Sequence, residues 1–464
     1  MDSVIIPPLQ RYRGVLAFQL IPIIMNNHRQ KRTSKPAAKP ATPFAKLPIV
    51  QQRLQQIAQV LDKVLKFNFP ADAVLSKWFK ENRQLGGRDR GEVAEAVFDV
   101  LRHLRRYRHY AESGVGSAHM RLAILGLVNT HNKDAILDVL DEGQKAWLER
   151  VLKIENSAIN APVRFSLPDW LYTELSQQKE AETLMAALNE KAPLDLRVNP
   201  LKAERDEILP ILQADEPRFN LEATPYSPWG IRVNGKPSIN RWSLFEKGVI
   251  EVQDEGSQLL CMLVSPRRSD MVIDFCAGAG GKTLLLGAMM RSQGRLYAFD
   301  VSGARLAKAK PRIARSGLSN VTCIQIESEN DVRVKRLAGK AHRVLVDAPC
   351  SGVGTLRRNP DLKWRQTPED LVELTQLQAR ILKSAARCVA SGGRLVYSTC
   401  SLLPQENEAQ IEAFLKEHPD FKLVPFEQAL GDRNPGLSAE DGMLRLRPDV
   451  HGTDGFFAAV MERV

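Results

Sequence analysis

A chain of 464 residues is long enough for more than one domain, and a hydrophobic share of 44% can bury ordinary cores. No apolar run reaches the roughly 18 residues of a membrane helix, Val15 to Met25 included, and the six cysteines form no Cys-x-x-Cys pair, which argues against a metal site or a thioredoxin-like motif. The net charge is +11, but residues 1–49 hold eight Lys/Arg against Asp2 alone, so +7 of it lies there and charge is a weak pointer to a polyanion partner. The expected protein is cytoplasmic, soluble, monomeric and metal-free.

Residues 27–46 are rich in Lys, Arg, Pro and Ala with almost no large apolar side chains. They predict a disordered basic tail over 1–46. From Leu54, Ile57, Leu61 and Val64 to Ala94, Val97, Phe98 and Leu101 the apolar spacing is helical, and strand signals are scarce before residue 160. Residues 47–160 therefore read as an all-helical domain. Its arginines between Arg83 and Arg108 are either a solvated helix face or an RNA-contacting one. Residues 161–250 mix a helical pattern with short strand candidates at 195–198 and 230–233, punctuated by Pro and Gly, and read as a small α+β connector. From 251 to the end strands and helices alternate. The strand candidates are 272–276, 295–300, 321–326, 343–348, 394–399 and 456–461, which predicts an α/β domain with a parallel sheet covered on both faces. Ligands in such sheets bind beyond the carboxyl ends of the strands.

The first of these strands runs into Cys276-Ala277-Gly278-Ala279-Gly280-Gly281-Lys282-Thr283. A P-loop needs a Gly separated by four residues from the Gly-Lys-Thr, and Cys276 stands there. A dinucleotide fingerprint from Gly278 needs Gly at Thr283. The third reading, weighed against a plain strand–helix turn, is a methyltransferase loop, whose glycines let backbone N–H groups approach S-adenosylmethionine. Asp300, closing the second strand, is then placed to hold the ribose hydroxyls.

Two cysteines follow neighbouring strands, Cys350 in Asp347-Ala348-Pro349-Cys350 and Cys400 in Ser398-Thr399-Cys400. A lone cysteine is usually inert packing; two at adjacent strand ends suit covalent catalysis. Carbon 5 of cytosine is a poor nucleophile, and a thiolate adding to carbon 6 makes it reactive. The charge left on the ring calls for a partner near N3, for which Asp347 is the candidate.

At VQDEGSQL (252–259), DFCAGAGGKT (274–283), LVDAPCSGVGTLRRNPDLKW (345–364), LVYSTCSLLPQENE (395–408) and HGTDGFFAAV (451–460), the chain resembles the RNA cytosine-C5 methyltransferase family, in its bacterial Sun/Fmu (RsmB) ribosomal-RNA branch. LGGRDRGEVAEAVFDVLRHLRR, in the helical domain, resembles that branch's NusB-like RNA-binding module. The resemblance implies a Rossmann-like S-adenosylmethionine domain over 251–464. It implies Cys400 as nucleophile, Cys350 for product release and Asp347 for the activated base, and the loop from Cys276 through Ala277, Gly278, Ala279, Gly280, Gly281 and Lys282, with Asp300 and Asp347, for the cofactor. The family's loop reads CAAPGGK; Gly278 and Ala279 here predict a more flexible loop. The family's adenine-side Asp is replaced, with Glu327 the preferred substitute over Ser328. Arg357, Arg358, Lys363 and Arg365, with Pro360 and Trp364, form a basic stretch that is either an RNA-docking loop or a structural loop whose Trp packs. The resemblance points to ribosomal RNA, with transfer RNA as the other substrate and a non-catalytic RNA-binding factor as the rival of a different class.

Overall fold

The computed structural model describes residues 47–235 and 237–464, so the tail expected over 1–46 lies outside the described residues. Two compact units are present: one holds the helices up to Asn189 together with Leu356–Gln366, the other holds Glu190–Thr355 and Thr367–Val464.

The helical unit begins with α1 (Ile49–Val64), α2 (Ala71–Glu81), α3 (Gly87–Arg102), α4 (Leu104–Ala111), α5 (Ala118–Val128) and α6 (Glu142–Leu152). Ile57, Val60, Leu61 and Val64 of α1 fall on one face at helical spacing and are buried with Val93, Val97 and Val100 of α3. Gly126 lets α5 approach α3 closely, since a Cβ there would stand 2.7 Å from the Ala96 carbonyl oxygen. The helices run past the expected end at 160. α7 (Asp169–Ser176) and α8 (Ala181–Leu188) bury Leu171, Leu175, Leu184, Met185 and Leu188; at eight residues each, between prolines, they carry too few turns for periodicity to separate them from a connector.

The arginine run divides rather than forming one face. Arg88 pairs with Glu92 at 3.0 Å, Arg105 reaches Asp169 at 2.7 Å, and Arg102 is buried with Nη2 donating to the Arg357 carbonyl at 2.9 Å. The segment Leu356–Gln366 is a strap laid into this unit. Trp364 Nε1 donates to the Leu101 carbonyl at 2.7 Å, and Lys363 Nζ donates to the Arg102 carbonyl at 2.7 Å and to Asn189 Oδ1 at 2.9 Å. Asp361 accepts from the Ala71 N–H at 3.1 Å. The RNA-docking expectation for this stretch is thereby corrected: Lys363 is 2% exposed and Arg357 7%, Arg358 and Arg365 are half-buried and partnered, and the structural alternative describes them.

In the second unit, β1 (Leu194–Val198), β2 (Asn220–Ala223), β3 (Gly230–Asn234) and β4 (Ile250–Val252) form an antiparallel sheet in the order β2-β3-β1-β4. Helix α9 (Arg205–Asp215) buries Ile208 and Leu212 in the same core as Leu196, Ile231 and Ile250. Then follow α10 (Glu255–Val264), β5 (Met271–Asp274), α11 (Gly281–Met289), β6 (Arg295–Asp300), α12 (Gly303–Ser316), β7 (Val321–Gln325), β8 (Ala341–Asp347), α13 (Pro368–Ala386), β9 (Val389–Thr399), α14 (Glu408–Glu417), β10 (Phe421–Val424), β11 (Leu444–Leu446) and β12 (Phe456–Arg463). The sheet order is β10-β12-β9-β8-β5-β6-β7, with β11 pairing β12. Strands β5 to β9 are parallel, and β12 enters antiparallel to β9. Separate apolar cores form around α13 and around α10 and α11. The Rossmann-like α/β expectation holds, and each expected strand of this region is present.

Burial and the charges of Arg102 and Arg106 pull the Lys363 pKa well below 10.5. The unfolded chain then binds more protons than the folded one between that lowered value and 10.5, so the lysine makes stability rise with pH across this window. Lys363→Met should flatten that rise from neutral pH toward 10, read as the urea midpoint of the helical signal against pH. An unchanged slope would assign the rise to other groups.

Candidate active site

The parallel register sets Asp347, the last residue of β8, opposite Ser398 of β9, so the turns leaving both strands start side by side. Their cysteines meet: Cys350 Sγ lies 3.2 Å from Cys400 Sγ, and the Cys400 N–H donates to Cys350 Sγ at 3.3 Å. Cys350 is buried and Cys400 half-exposed. The contact with Cys400, then burial, pushes the Cys350 thiol pKa well up. The Gly354 N–H donates to the Cys400 carbonyl at 3.0 Å, and the Gly455 N–H to the Gly354 carbonyl at 2.8 Å, which ties the two turns to the start of β12.

Behind the sulfurs sits an ion pair. Lys282 Nζ, on the first turn of α11, donates to Asp347 Oδ2 at 2.7 Å. Burial works against the ammonium charge, but the charge and hydrogen bond of Asp347 outweigh it and hold the Lys282 pKa above its ordinary value. Asp347 Oδ1 accepts from Ser398 Oγ at 3.4 Å. Below it, Asp274 accepts from Thr283 Oγ1 at 2.6 Å, and burial pushes its pKa up to about 7.

The glycine loop turns through positive φ at Gly278 (58°) and Gly280 (83°). A Cβ at Gly278 would stand 2.4 Å from Arg305 Nη2, so glycine here admits the guanidinium that pairs with Asp300 at 3.3 Å. Asp300 also accepts from the Gly278 and Ser302 N–H groups at 2.8 and 2.7 Å. The expected flexibility is offset by braces on loop carbonyls: Arg312 donates to Ala279 O at 2.6 Å and Arg197 of β1 to Gly281 O at 3.1 Å. Glu251 of β4 in turn pairs with Arg312 and Arg315 at 3.4 and 2.7 Å.

A narrow cleft with a cavity volume of about 50 Å³ opens beside the loop, lined by Cys276, Asp300, Val301, Ile326, Ser328, Glu329, Pro349, Leu377 and Ile381 among others. Apolar walls suit a flat base and the carboxylate suits a diol, so the residues fit a nucleoside cofactor. Glu327 is corrected: it is exposed and off this cleft, because β7 ends at Gln325 and the turn presents Ser328 and Glu329 instead. Ser328, the second choice of the sequence reading, lines the cleft; that reading missed Glu329, along with Arg197, Arg305, Arg312 and the cleft wall of α13. Nothing in a single sequence marks a distant arginine as a brace.

A family model described as 16S rRNA methyltransferase RsmB/F matches residues 261–462, and one for the RsmF/B-like ferredoxin-like domain matches 167–240. The probable ribosomal RNA small subunit methyltransferase B of Synechocystis sp. is 40% identical over 321 residues, covering 67% of this chain and 70% of the relative. The chain belongs to the RsmB/F family of 16S rRNA methyltransferases. Its Bacillus subtilis counterpart, named as the Synechocystis protein is, is 34% identical, covering 66% and 69%. A solved methyltransferase homolog from Pyrococcus horikoshii is 29% identical with a TM-score of 0.57, covering 67% of this chain and 100% of its own. S-adenosylmethionine is the methyl donor of this RsmB/F family fold.

A Cβ at Gly354 would lie 2.2 Å from the Gly455 carbonyl oxygen, backbone against backbone. Gly354→Ala should cost about 1–3 kcal/mol by overpacking and lower methylation beyond that loss by spreading the turns. Chemical denaturation beside a turnover assay reads both, and wild-type values in both would sink the assignment.

Proposed function

We propose that this chain methylates carbon 5 of a cytosine in 16S ribosomal RNA through a transient bond between Cys400 and carbon 6. The carrying observation is the pair of sulfurs 3.2 Å apart above the Lys282–Asp347 pair. The loop 276–282 with Asp300 holds the cofactor in this reading, and Ser328 and Glu329 border the adenine side of the cleft. The bound cofactor supplies the methyl group. The helical unit is read as a NusB-like module that helps to hold RNA.

Cys400, the more accessible sulfur, adds to carbon 6 as a thiolate. The displaced ring electrons are taken up at N3 with a proton that Asp347 delivers from the Lys282–Asp347 pair, and that proton leaves N3 again as carbon 5 accepts the methyl group. Release needs the carbon 5 proton removed: its bonding pair becomes the carbon 5–carbon 6 double bond, and the carbon–sulfur pair returns to Cys400. Cys350 is the base for that step. In the free enzyme the contact with Cys400, then burial, raises its pKa, and it serves as the thiolate, taking the carbon 5 proton and ending as the thiol.

Cys400→Ala should abolish methylation while cofactor binding persists. Cys350→Ala should trap a protein–RNA complex that survives denaturing electrophoresis, and the double variant should trap none. A complex trapped by Cys400→Ala would reverse the roles; none from either would end the covalent reading. Mapping methylated cytosines in RNA after gene deletion tests the substrate, since loss in transfer RNA rather than 16S RNA would reassign it.

A further inference from the structure

The two reactive turns share one buried anchor. Glu406 is 0% exposed and lies on the turn that leads from Cys400 toward α14. Its Oε1 accepts from the Ser351 N–H at 2.7 Å and from Gln378 Nε2 at 2.9 Å, and its Oε2 accepts from Ser351 Oγ at 2.5 Å. Ser401 also hydrogen-bonds to it, and Ser351 Oγ and Ser401 Oγ are 3.1 Å apart. Two Cys-Ser steps thus lie side by side, sulfur against sulfur and hydroxyl against hydroxyl, with one carboxylate beneath both hydroxyls. Gln378 of α13 completes the clamp, since the same Nε2 donates to the Pro349 carbonyl at 2.9 Å. Both backbone neighbours of Cys350 are therefore held, Pro349 by Gln378 and Ser351 by Glu406.

Burying a carboxylate among these groups is costly unless its oxygens are satisfied, and here each oxygen has its donors. The reaction explains the need. Carbons 5 and 6 are ring neighbours, so the thiol that leaves carbon 6 and the thiol that takes the proton from carbon 5 must stay neighbours through the sequence. Cys350 has no substrate bond to hold it; its place comes from its own turn.

We propose that Glu406 is a positioning residue for the release step, holding Cys350 at the distance from Cys400 that lets it take the carbon 5 proton. This rests on the covalent reading above. It separates Glu406 from groups that serve attack or cofactor binding, because its hydrogen bonds run to the residues after the cysteines and not to the cleft.

Glu406→Gln keeps the shape and removes one acceptor. The expected result is unchanged S-adenosylmethionine affinity, a near-normal single-turnover rate of adduct formation, and turnover reduced on the order of 10- to 100-fold, the cost of a small misplacement of a reacting group. The covalent protein–RNA complex should accumulate, as with Cys350→Ala. Glu406→Asp, which restores the charge, should recover part of the release rate. If Glu406→Gln slows adduct formation and release equally, or leaves both unchanged, the proposal falls. Should that variant not fold, Ser351→Ala removes one of the two Ser351 donors, and the same complex should accumulate more weakly; none would overturn the proposal. Cys350→Ala is run beside them: if it traps nothing, the covalent reading has failed, whereas trapping by Cys350→Ala without trapping by Glu406→Gln discards the positioning role alone.

Discussion

The chemistry depends on one parallel register. Val346 opposite Tyr397 and Asp347 opposite Ser398 end β8 and β9 level with each other, so Cys350 and Cys400 leave the sheet at the same height. A slip of one residue would send alternate side chains to the other face and move Ser398 from Asp347. The register is secured by what each strand buries: Val344 and Val346 join one apolar core and Leu345 the other. A continuous apolar strand covered on both faces has no tolerance for the shift.

At the end of that register the protein keeps several ionisable groups out of water, and their arrangement follows a simple rule. Lys282 is charged because Asp347 is beside it. Asp274 takes one hydroxyl from Thr283 and is pushed toward neutrality by burial and then by Asp347 and Asp300, against the pull of Thr283 and Lys282. Glu406 sits deeper, where burial raises its pKa against the hydrogen bonds of Ser351, Ser401 and Gln378. Removing any one partner would leave another buried polar group unsatisfied, at a cost of about 1–3 kcal/mol. The cluster is thus stiff, and stiffness is what the proposed succession of two thiols requires.

Much of this was legible from local pattern. The strand-to-loop motifs around Cys276, Cys350 and Cys400 state both the sheet and its functional edge, because short apolar runs ending in Gly, Pro or Cys have few other structural meanings. Three things were not legible. The strap Leu356–Gln366 is basic, and charge reads as exposure; yet Lys363 is buried, with backbone and amide oxygens accepting from its Nζ. β10 and β11 are too short, at four and three residues, to show a period. Glu327 was chosen for its chemistry, whereas the turn after β7 decides by geometry which carboxylate faces the cleft.

The region between 190 and 252 was the least informative in sequence, where no chemistry is visible. Its contribution is mechanical. Arg197 of β1, fully buried, reaches across to the Gly281 carbonyl, and Glu251 of β4 holds the two arginines of α12, one of which grips Ala279. A loop with three glycines loses more backbone entropy on ordering than most, and left alone it would sample many shapes. Here charged side chains from outside the loop fix its carbonyls, and Asp300 holds the Gly278 N–H. The small antiparallel sheet thus braces the glycine loop from outside, and both lie in one compact unit.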